Sequence, residues 1–212
     1  GVSMWYWLPA LAERDAVQAR IEADYSAFNI EFTQTEPLSG EYTTLSFSCP
    51  SGSSCITLTP AGFLSILFGR ADNIDNLNTD RSDNAFIDAN FWEFVVQFPG
   101  FGPATFYGIT GIEPTGDVTA DLSFAVVNQA ANTGAHELGH ILGLRHHDSF
   151  GPPGSGLPST GVPDPSAFIP FYSGAQDGDE TILHLMASGA SVGLPLYRYL
   201  GGAGARVLPV PM

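Results

Sequence analysis

Lysine is absent from this sequence, and its seven basic residues, all arginines, stand against 22 aspartates and glutamates. The formal net charge is −15. Such a chain lacks the basic patches with which proteins bind nucleic acid or anionic membranes, so neither is expected as a partner. The charge is typical of the acidic surface of a secreted or salt-adapted protein, with cation binding as the alternative.

Long apolar runs are also missing. The stretch "FLSILF" at 63–68 is far shorter than the roughly 20 residues that span a bilayer, so no membrane span is expected. No basic segment precedes an apolar stretch at the start of the sequence, and no signal peptide is recognised. For a secreted protein, we expect this sequence to be the mature form.

Cysteine occurs only twice, at Cys49 and Cys55. Two cysteines are too few for a structural zinc site, which takes four ligands. The proline, glycine and serine residues between them favour a short loop closed by a disulfide, with two free thiols as the alternative. A disulfide predicts an extracellular location.

The length of 212 residues, with 44% hydrophobic residues, fits a single domain over 1–212. Residues 9–28 predict a helix, because Val17, Ile21 and Tyr25 recur at helical spacing. Asp121 is a candidate N-cap for a second, long helix that ends at Gly143. Beyond it, residues 150–180 are rich in glycine and proline and predict a long loop, of a kind that is usually functional or mobile.

Three segments predict β-strands: 28–35, 42–48 and 104–112. In the first of them, apolar and polar residues alternate, which puts Phe28, Ile30 and Phe32 on one face. Aspartates crowd the segment 71–89. Oxygen-rich loops bind calcium, but the spacing is not that of an EF-hand, so a solvated loop with a helix cap is favoured over a calcium site. These aspartates are Asp72, Asp75, Asp80, Asp83 and Asp88.

Four of the five histidines lie in "HELGHILGLRHHD", from His136 to Asp148. On a helix, His136 and His140 lie one turn apart on one face, with Cβ atoms about 5–6 Å apart, so both imidazoles can bind one metal ion. Glu137 is rotated from His136 by about 100° and therefore lies beside the metal. A general base for a metal-activated water is needed at that position.

A third ligand requires the helix to break. In a continuous helix, His146 would lie about 15 Å from His136 along the axis and could not reach the same ion. Gly143 can adopt the left-handed conformation that ends a helix, after which the chain can bring His146 back to the metal. Three imidazoles leave a fourth position open for water, as catalytic zinc requires. His147, one residue out of register, is the alternative ligand, and His184 is interpreted as structural.

The motif "HELGHILGLRH" resembles the long zinc-binding motif of the metzincin metallopeptidases. Members of that family carry a methionine in a tight turn beneath the metal. Met186, in "LHLMASG", is 40 residues after His146 and resembles this Met-turn. The segment "EADYSAFNIEFTQTEP" also looks like the opening of uncharacterised secreted bacterial members. The motif resemblance covers 136–148 and 184–188.

The resemblance implies an α+β, metzincin-like fold. A twisted mixed β-sheet with helices would form an upper subdomain of about residues 1–143, which includes the active-site helix. A loop-rich lower subdomain with the Met-turn would follow, over about 144–212. The cleft between them would take an extended protein or peptide substrate, with the 104–112 strand pairing with the substrate backbone. We expect the protein to be a monomer.

The resemblance also implies a zinc metalloprotease, a hydrolase that cleaves peptide bonds. Zn²⁺ would be bound by His136, His140 and His146, with Glu137 as general base and Met186 as a hydrophobic floor that is not a ligand. A requirement for Ca²⁺ stays open.

Several alternatives remain. One is a zinc-binding but non-proteolytic adhesion or carbohydrate-binding module on a peptidase fold, against which the intact Glu137 argues. Another is hydrolysis of a non-peptide ester or amide by the same chemistry. The gluzincin arrangement would need Glu180 as a ligand on a following helix. It is discounted, because Glu180 lies in a glycine- and aspartate-rich segment. The subfamily is open, because His147 stands where adamalysins have aspartate and Ser188 where astacins and serralysins have tyrosine. Tyr172 is a candidate substitute for that tyrosine.

Overall fold

The computed structural model describes ten helices and strands within residues 2–5, 11–49, 55–58, 64–75, 78–89, 91, 102–110, 113–144 and 185–186. The helices are α1 (Leu11–Asp24), α2 (Pro103–Thr110) and α3 (Val118–Ile141). The strands are β1 (Val2–Trp5), β2 (Phe32–Thr33), β3 (Thr43–Ser46), β4 (Ile56–Leu58), β5 (Leu64–Ile66), β6 (Gly69–Ala71) and β7 (Asn84–Ile87). Helices and a small mixed sheet confirm the predicted α+β class.

Five strands form one sheet in the order β2-β1-β3-β7-β6. The neighbours β2, β1, β3 and β7 pair in parallel, and only β6 runs antiparallel to its neighbour β7. Strands β4 and β5 form a separate antiparallel pair. The antiparallel strand β6 therefore ends the order of the sheet, and it lies against helix α3.

Helix α3 packs on both α1 and the sheet. From the α1 side, Val17, Ile21 and Tyr25 are buried at spacings of four, as the helical pattern predicts. Gly134 of α3 allows this approach, because a Cβ there would lie 3.0 Å from Ile21 Cδ1 and 3.2 Å from Phe47 Cζ. The core thus lies between α1, α3 and the inner face of β3 and β7.

The prediction of a helix over 9–28 is confirmed for Leu11–Asp24. The strand prediction for 28–35 is confirmed only at Phe32–Thr33, and placing Phe28 on a buried face is wrong. The chain leaves α1 through a turn in which Phe28 N–H donates to Tyr25 O at 2.9 Å. Phe28 is consequently 52% exposed. The prediction for 42–48 is confirmed by β3.

The prediction of a strand over 104–112 is wrong for residues 104–110, which belong to helix α2, and residues 111–112 lie outside the described part of the chain. Pro103 occupies the first helical position, where its missing N–H costs nothing, and Phe106 N–H donates to Gly102 O at 3.0 Å. Neighbouring residues Phe106 and Tyr107 both face protein, which a strand with one buried face does not allow. Pairing of this segment with a substrate as a β-strand is therefore also wrong.

The N-cap of α3 is Asp117, and the prediction of Asp121 for that role is wrong. The carboxylate of Asp117 accepts from Thr119 N–H at 3.0 Å and from Ala120 N–H at 3.1 Å. Asp121, one turn later, is buried and accepts hydrogen bonds from Tyr107 Oη and Thr115 Oγ1, each at 2.7 Å. Asp121 thus ties α2 and its following loop to the first turn of α3.

Replacing Asp117 with alanine is expected to lower the free energy of unfolding by about 1 kcal/mol, because two N–H groups of the first turn lose their acceptor. Asp117→Ser keeps an oxygen that can cap the helix and is the matched control, expected within a few tenths of a kcal/mol of the parent. Urea unfolding followed by circular dichroism measures both. Equal losses in the two variants would contradict a capping role.

Cys49 and Cys55 form a disulfide with Cα atoms 5.9 Å apart, which confirms the predicted pairing. Among the described residues, no helix combines the length and the apolar character needed to cross a membrane.

Candidate metal centre

The first two histidines of the motif, His136 and His140, lie in the last two turns of α3. Their rings are neighbours, with centroids 4.7 Å apart and planes at 90°. They are four residues apart and therefore lie on one face of α3, which ends at Ile141. The helix therefore brings His136 and His140 together as the spacing predicts. His146, His147 and His184 lie outside the described residues.

Backbone carbonyls fix the orientation of both imidazoles. His136 Nδ1 lies 2.8 Å from Leu185 O, and His140 Nδ1 lies 2.8 Å from Leu144 O. A carbonyl oxygen only accepts hydrogen bonds, so each Nδ1 carries the proton in the neutral ring. The lone pair of each ring is then on Nε2. Metal-ligating histidines commonly donate their other N–H to a carbonyl in this way.

The end of α3 places the carbonyl that orients His140. Gly143 N–H donates to His140 O at 2.9 Å and Leu144 N–H donates to Gly139 O at 2.8 Å, the two bonds of a Schellman motif. Gly143 has a φ of 91°, in the region that side chains with a Cβ rarely adopt. The chain reverses here, and Leu144 O consequently returns to His140 Nδ1. Residues from 145 to 184 lie outside the described part of the chain.

A turn at Leu185 and Met186 packs against α3 next to His136 and Gly139. Leu185 O accepts the hydrogen bond from His136, and both residues of the turn are fully buried. Met186 lies directly against Gly139, since a Cβ on that glycine would overlap Met186 Sδ and lie 3.2 Å from Met186 Cε. Met186 thus packs against α3 at Gly139, a residue that lies between His136 and His140 in sequence.

Tyr25 lies on the same side of α3 as Met186. Its hydroxyl donates to Ala135 O at 2.7 Å, and a Cβ on Gly139 would lie 3.2 Å from Tyr25 Oη. Burial, together with the charge of Asp24, raises the pKa of Tyr25 well above its usual value, so the phenol stays a neutral donor. This buried hydrogen bond therefore holds the histidine-bearing end of α3 to the residue that follows α1.

Glu137 is buried between α3 and strand β6. Its Oε2 accepts from Ala71 N–H at 2.8 Å, and only 7% of the residue is exposed. Burial raises the pKa of Glu137 to about 7, and this rise is opposed by the Ala71 hydrogen bond and by the charge of Arg70. At neutral pH the carboxyl is thus near its midpoint, which suits a group that accepts and returns a proton.

Gly69 leaves the space that Glu137 occupies. A Cβ on Gly69 would lie 2.9 Å from Glu137 Oε1, 3.0 Å from Glu137 Cγ and 2.6 Å from Thr133 Cγ2. Strand β6 and α3 can therefore approach this closely only because residue 69 has no side chain. Sequence reasoning missed this role of Gly69, because "FGRA" matches no motif and its glycine is one of 24.

The raised pKa of Glu137 predicts a pH dependence of stability for the metal-free protein. The carboxyl ionises near 4.5 when unfolded and near 7 when folded. Between these values the folded state holds the proton and the unfolded state releases it, so the free energy of unfolding falls as pH rises. At 1.36 kcal/mol per pH unit the loss is about 3 kcal/mol.

Urea titrations of the parent and of Glu137→Gln, in chelating buffer between pH 4.5 and 8, measure this effect. The glutamine variant retains no ionisable group at residue 137, so the stability of the parent should fall relative to the variant across this range. A constant difference between the two proteins would contradict the raised pKa.

The aspartates of 71–89 do not form a capped helix, since strand β7 lies within the segment. Asp75, Asp83 and Asp88 are buried, whereas Asp72 and Asp80 are exposed. In the described ranges, no three histidine, cysteine or acidic side chains are grouped so as to hold a metal ion. The described residues therefore do not add support for the calcium alternative. Of the three predicted zinc ligands, His136 and His140 lie among the described residues.

Comparison with protein-family models gives no match to the chain. Comparison with solved structures also gives no significant match. The function of this site is therefore inferred from its own residues, contacts and charges.

Proposed function

We propose that the protein is a zinc-dependent endopeptidase with Glu137 as its general base. The observation that carries this proposal is the joint arrangement of three groups at the end of α3. His136 and His140 lie side by side with both Nδ1 atoms on backbone carbonyls, and Glu137 is buried next to them against β6. These are two imidazole ligands and a base, the elements of a hydrolytic zinc site.

The residues fit zinc in several respects. Imidazole nitrogen is a preferred ligand of zinc, and both Nε2 atoms carry the lone pair for it. The carbonyls of Leu144 and Leu185 supply the outer hydrogen bonds that orient such ligands. The spacing of the motif supports His146 as the third ligand. When bound, zinc would polarise a carbonyl and lower the pKa of a coordinated water.

Glu137 is suited to move the proton. Its Oε2 is held by Ala71 N–H at 2.8 Å, which fixes the orientation of the carboxylate without neutralising it. In the metal-free protein the pKa of Glu137 is raised to about 7, so the carboxyl can both take up and release a proton near neutral pH. Arg70, whose charge favours the ionised carboxylate, keeps part of the population charged at neutral pH.

Among the described strands, β6 ends the order of the sheet, and its Ala71 N–H is used by this carboxylate. A zinc-binding module without activity has no need for a buried carboxylate whose pKa is raised by desolvation. We therefore place the non-proteolytic adhesion or carbohydrate-binding module second. The disulfide is compatible with the proposed extracellular location.

Metal removal tests the proposal. Zinc-loaded protein is expected to cleave casein, to lose this activity in a chelator and to regain it when zinc is returned. Cleavage that persists in the chelator would show a contaminant or a metal-independent reaction and would contradict the proposal. Absence of cleavage while zinc is bound at one equivalent would favour the binding module.

A further inference from the structure

A row of polar residues runs along α3 behind Glu137, in which Gln129 and Glu137 are buried and Thr133 is half-buried. Gln129, Thr133 and Glu137 follow one another at four-residue spacing and therefore share one face of the helix. Gln129 is fully buried, and its Nε2 donates to Thr133 Oγ1 at 3.3 Å. Thr133 consequently lies between the side-chain amide of Gln129 and the proposed base, Glu137.

The two branches of Thr133 have different surroundings. The hydroxyl accepts the hydrogen bond from Gln129. The methyl group borders the space above Gly69, and Glu137 borders the same space. A Cβ added to Gly69 would lie 2.6 Å from the Thr133 methyl and 2.9 Å from Glu137 Oε1. Threonine is stiff at χ1, so fixing its hydroxyl also fixes its methyl. The methyl, rather than the hydroxyl, is on the side of the catalytic carboxylate.

We infer that Thr133 is a positioning residue for Glu137, and that its methyl group is the part that acts. The Ala71 N–H holds Oε2, and the Glu137 carboxylate shares the space above Gly69 with the methyl of Thr133. Gln129 acts one step further away by holding the threonine rotamer. This inference rests on the proposed function, because it concerns the group that would move the proton.

The inference requires the methyl to affect turnover more than substrate binding. Without it, Glu137 has room to leave the Ala71 N–H, so a smaller fraction of molecules has the base in place. A misplacement of about 1 Å can cost up to about 10²-fold in rate. We expect a loss of about 10-fold in kcat with KM unchanged, because the substrate-binding surface is not altered.

Two substitutions separate the two branches. Thr133→Ser keeps the hydroxyl and removes the methyl, whereas Thr133→Val keeps the methyl and removes the acceptor of Gln129. The valine variant should have the lower Tm, because it leaves a buried Nε2 unpaired. Its kcat should stay within about 2-fold of the parent, because valine has one strongly preferred χ1 rotamer in a helix even without the Gln129 hydrogen bond. The serine variant should lose about 10-fold. The order of stability is thus the reverse of the order of activity.

Crystal structures of both variants give a readout that does not depend on activity. We expect Glu137 Oε2 to stay near the parent's 2.8 Å from Ala71 N in Thr133→Val and to leave that position in Thr133→Ser. Activity that follows Tm, or a serine variant with parental kcat and an unmoved Glu137, would overturn the inference. If the parent itself proves inactive, the proposed function fails, and the position of Glu137 in the two structures decides the inference alone.

Discussion

Glu137→Gln is expected to lower kcat/KM for casein or a peptide by about 10²–10⁴-fold, the usual contribution of a general acid–base group. Glutamine has the shape of glutamate and can still accept the Ala71 N–H that Oε2 accepts at 2.8 Å. It cannot take a proton at neutral pH. The loss should therefore arise from the chemical step, with kcat reduced and KM little changed.

Two controls make this result specific. Glu41→Gln removes the same charge at an exposed position outside the site and should leave activity unchanged. The zinc content of Glu137→Gln, measured by atomic emission, should equal that of the parent, since Glu137 is not proposed as a ligand. An active Glu137→Gln variant would show that another group moves the proton.

Gly139→Ala is expected to lower the free energy of unfolding by about 1–3 kcal/mol, the range for overpacking a filled core. The new Cβ would overlap Met186 Sδ, and Met186 is fully buried, so its side chain must shift within a packed core. Leu185 O, which holds His136 Nδ1 at 2.8 Å, belongs to the same turn. Disturbing such an outer hydrogen bond typically weakens metal binding by about 10–100-fold.

Gly108→Ala is the matched control for this change. Gly108 also lies in a helix, but a Cβ there meets nothing within 4 Å. Alanine should stabilise α2 by roughly 0.5–1 kcal/mol and leave zinc affinity unchanged. Urea unfolding and competition with a zinc indicator measure both variants. Similar behaviour of the two alanines would contradict the close contact between α3 and Met186.

The features of the site that depend on local spacing were predictable from the sequence. The four-residue spacing places His136 and His140 on one helical face, and the structure has their rings 4.7 Å apart. Gly143 follows the last helical residues with the left-handed φ expected of it. Such features are set within a few residues of chain, where helix geometry alone decides the outcome.

The predictions of a strand over 104–112 and of Asp121 as a helix cap were wrong because tertiary contacts decide both features. The aromatic and β-branched residues of 104–112 favour a strand, but Pro103 begins a helix and Asp121 anchors Tyr107 from the next helix at 2.7 Å. Asp121 and Asp117 are equally good caps by composition. Only the three-dimensional arrangement shows that Asp117 caps α3 while Asp121 is used by α2.

The supports of Glu137 could not be predicted from any local pattern. Ala71 contributes only a backbone N–H, and Gly69 contributes the absence of a side chain, 66 and 68 residues before Glu137. Both act because β6 ends the sheet against α3, which is a property of the topology. Thr133 lies in the helix just before the motif, and its importance appears only when β6 is in place.

His136 and His140 are proposed to bind zinc through Nε2 beside Glu137. Anomalous diffraction from a crystal of the zinc-loaded protein, measured on both sides of the zinc absorption edge, locates the metal. We predict one anomalous peak at about 2.0–2.1 Å from the Nε2 atoms of both histidines, with each Nδ1 still on its carbonyl oxygen. Zinc bound elsewhere, or through Nδ1 with the carbonyl contacts broken, would contradict the account.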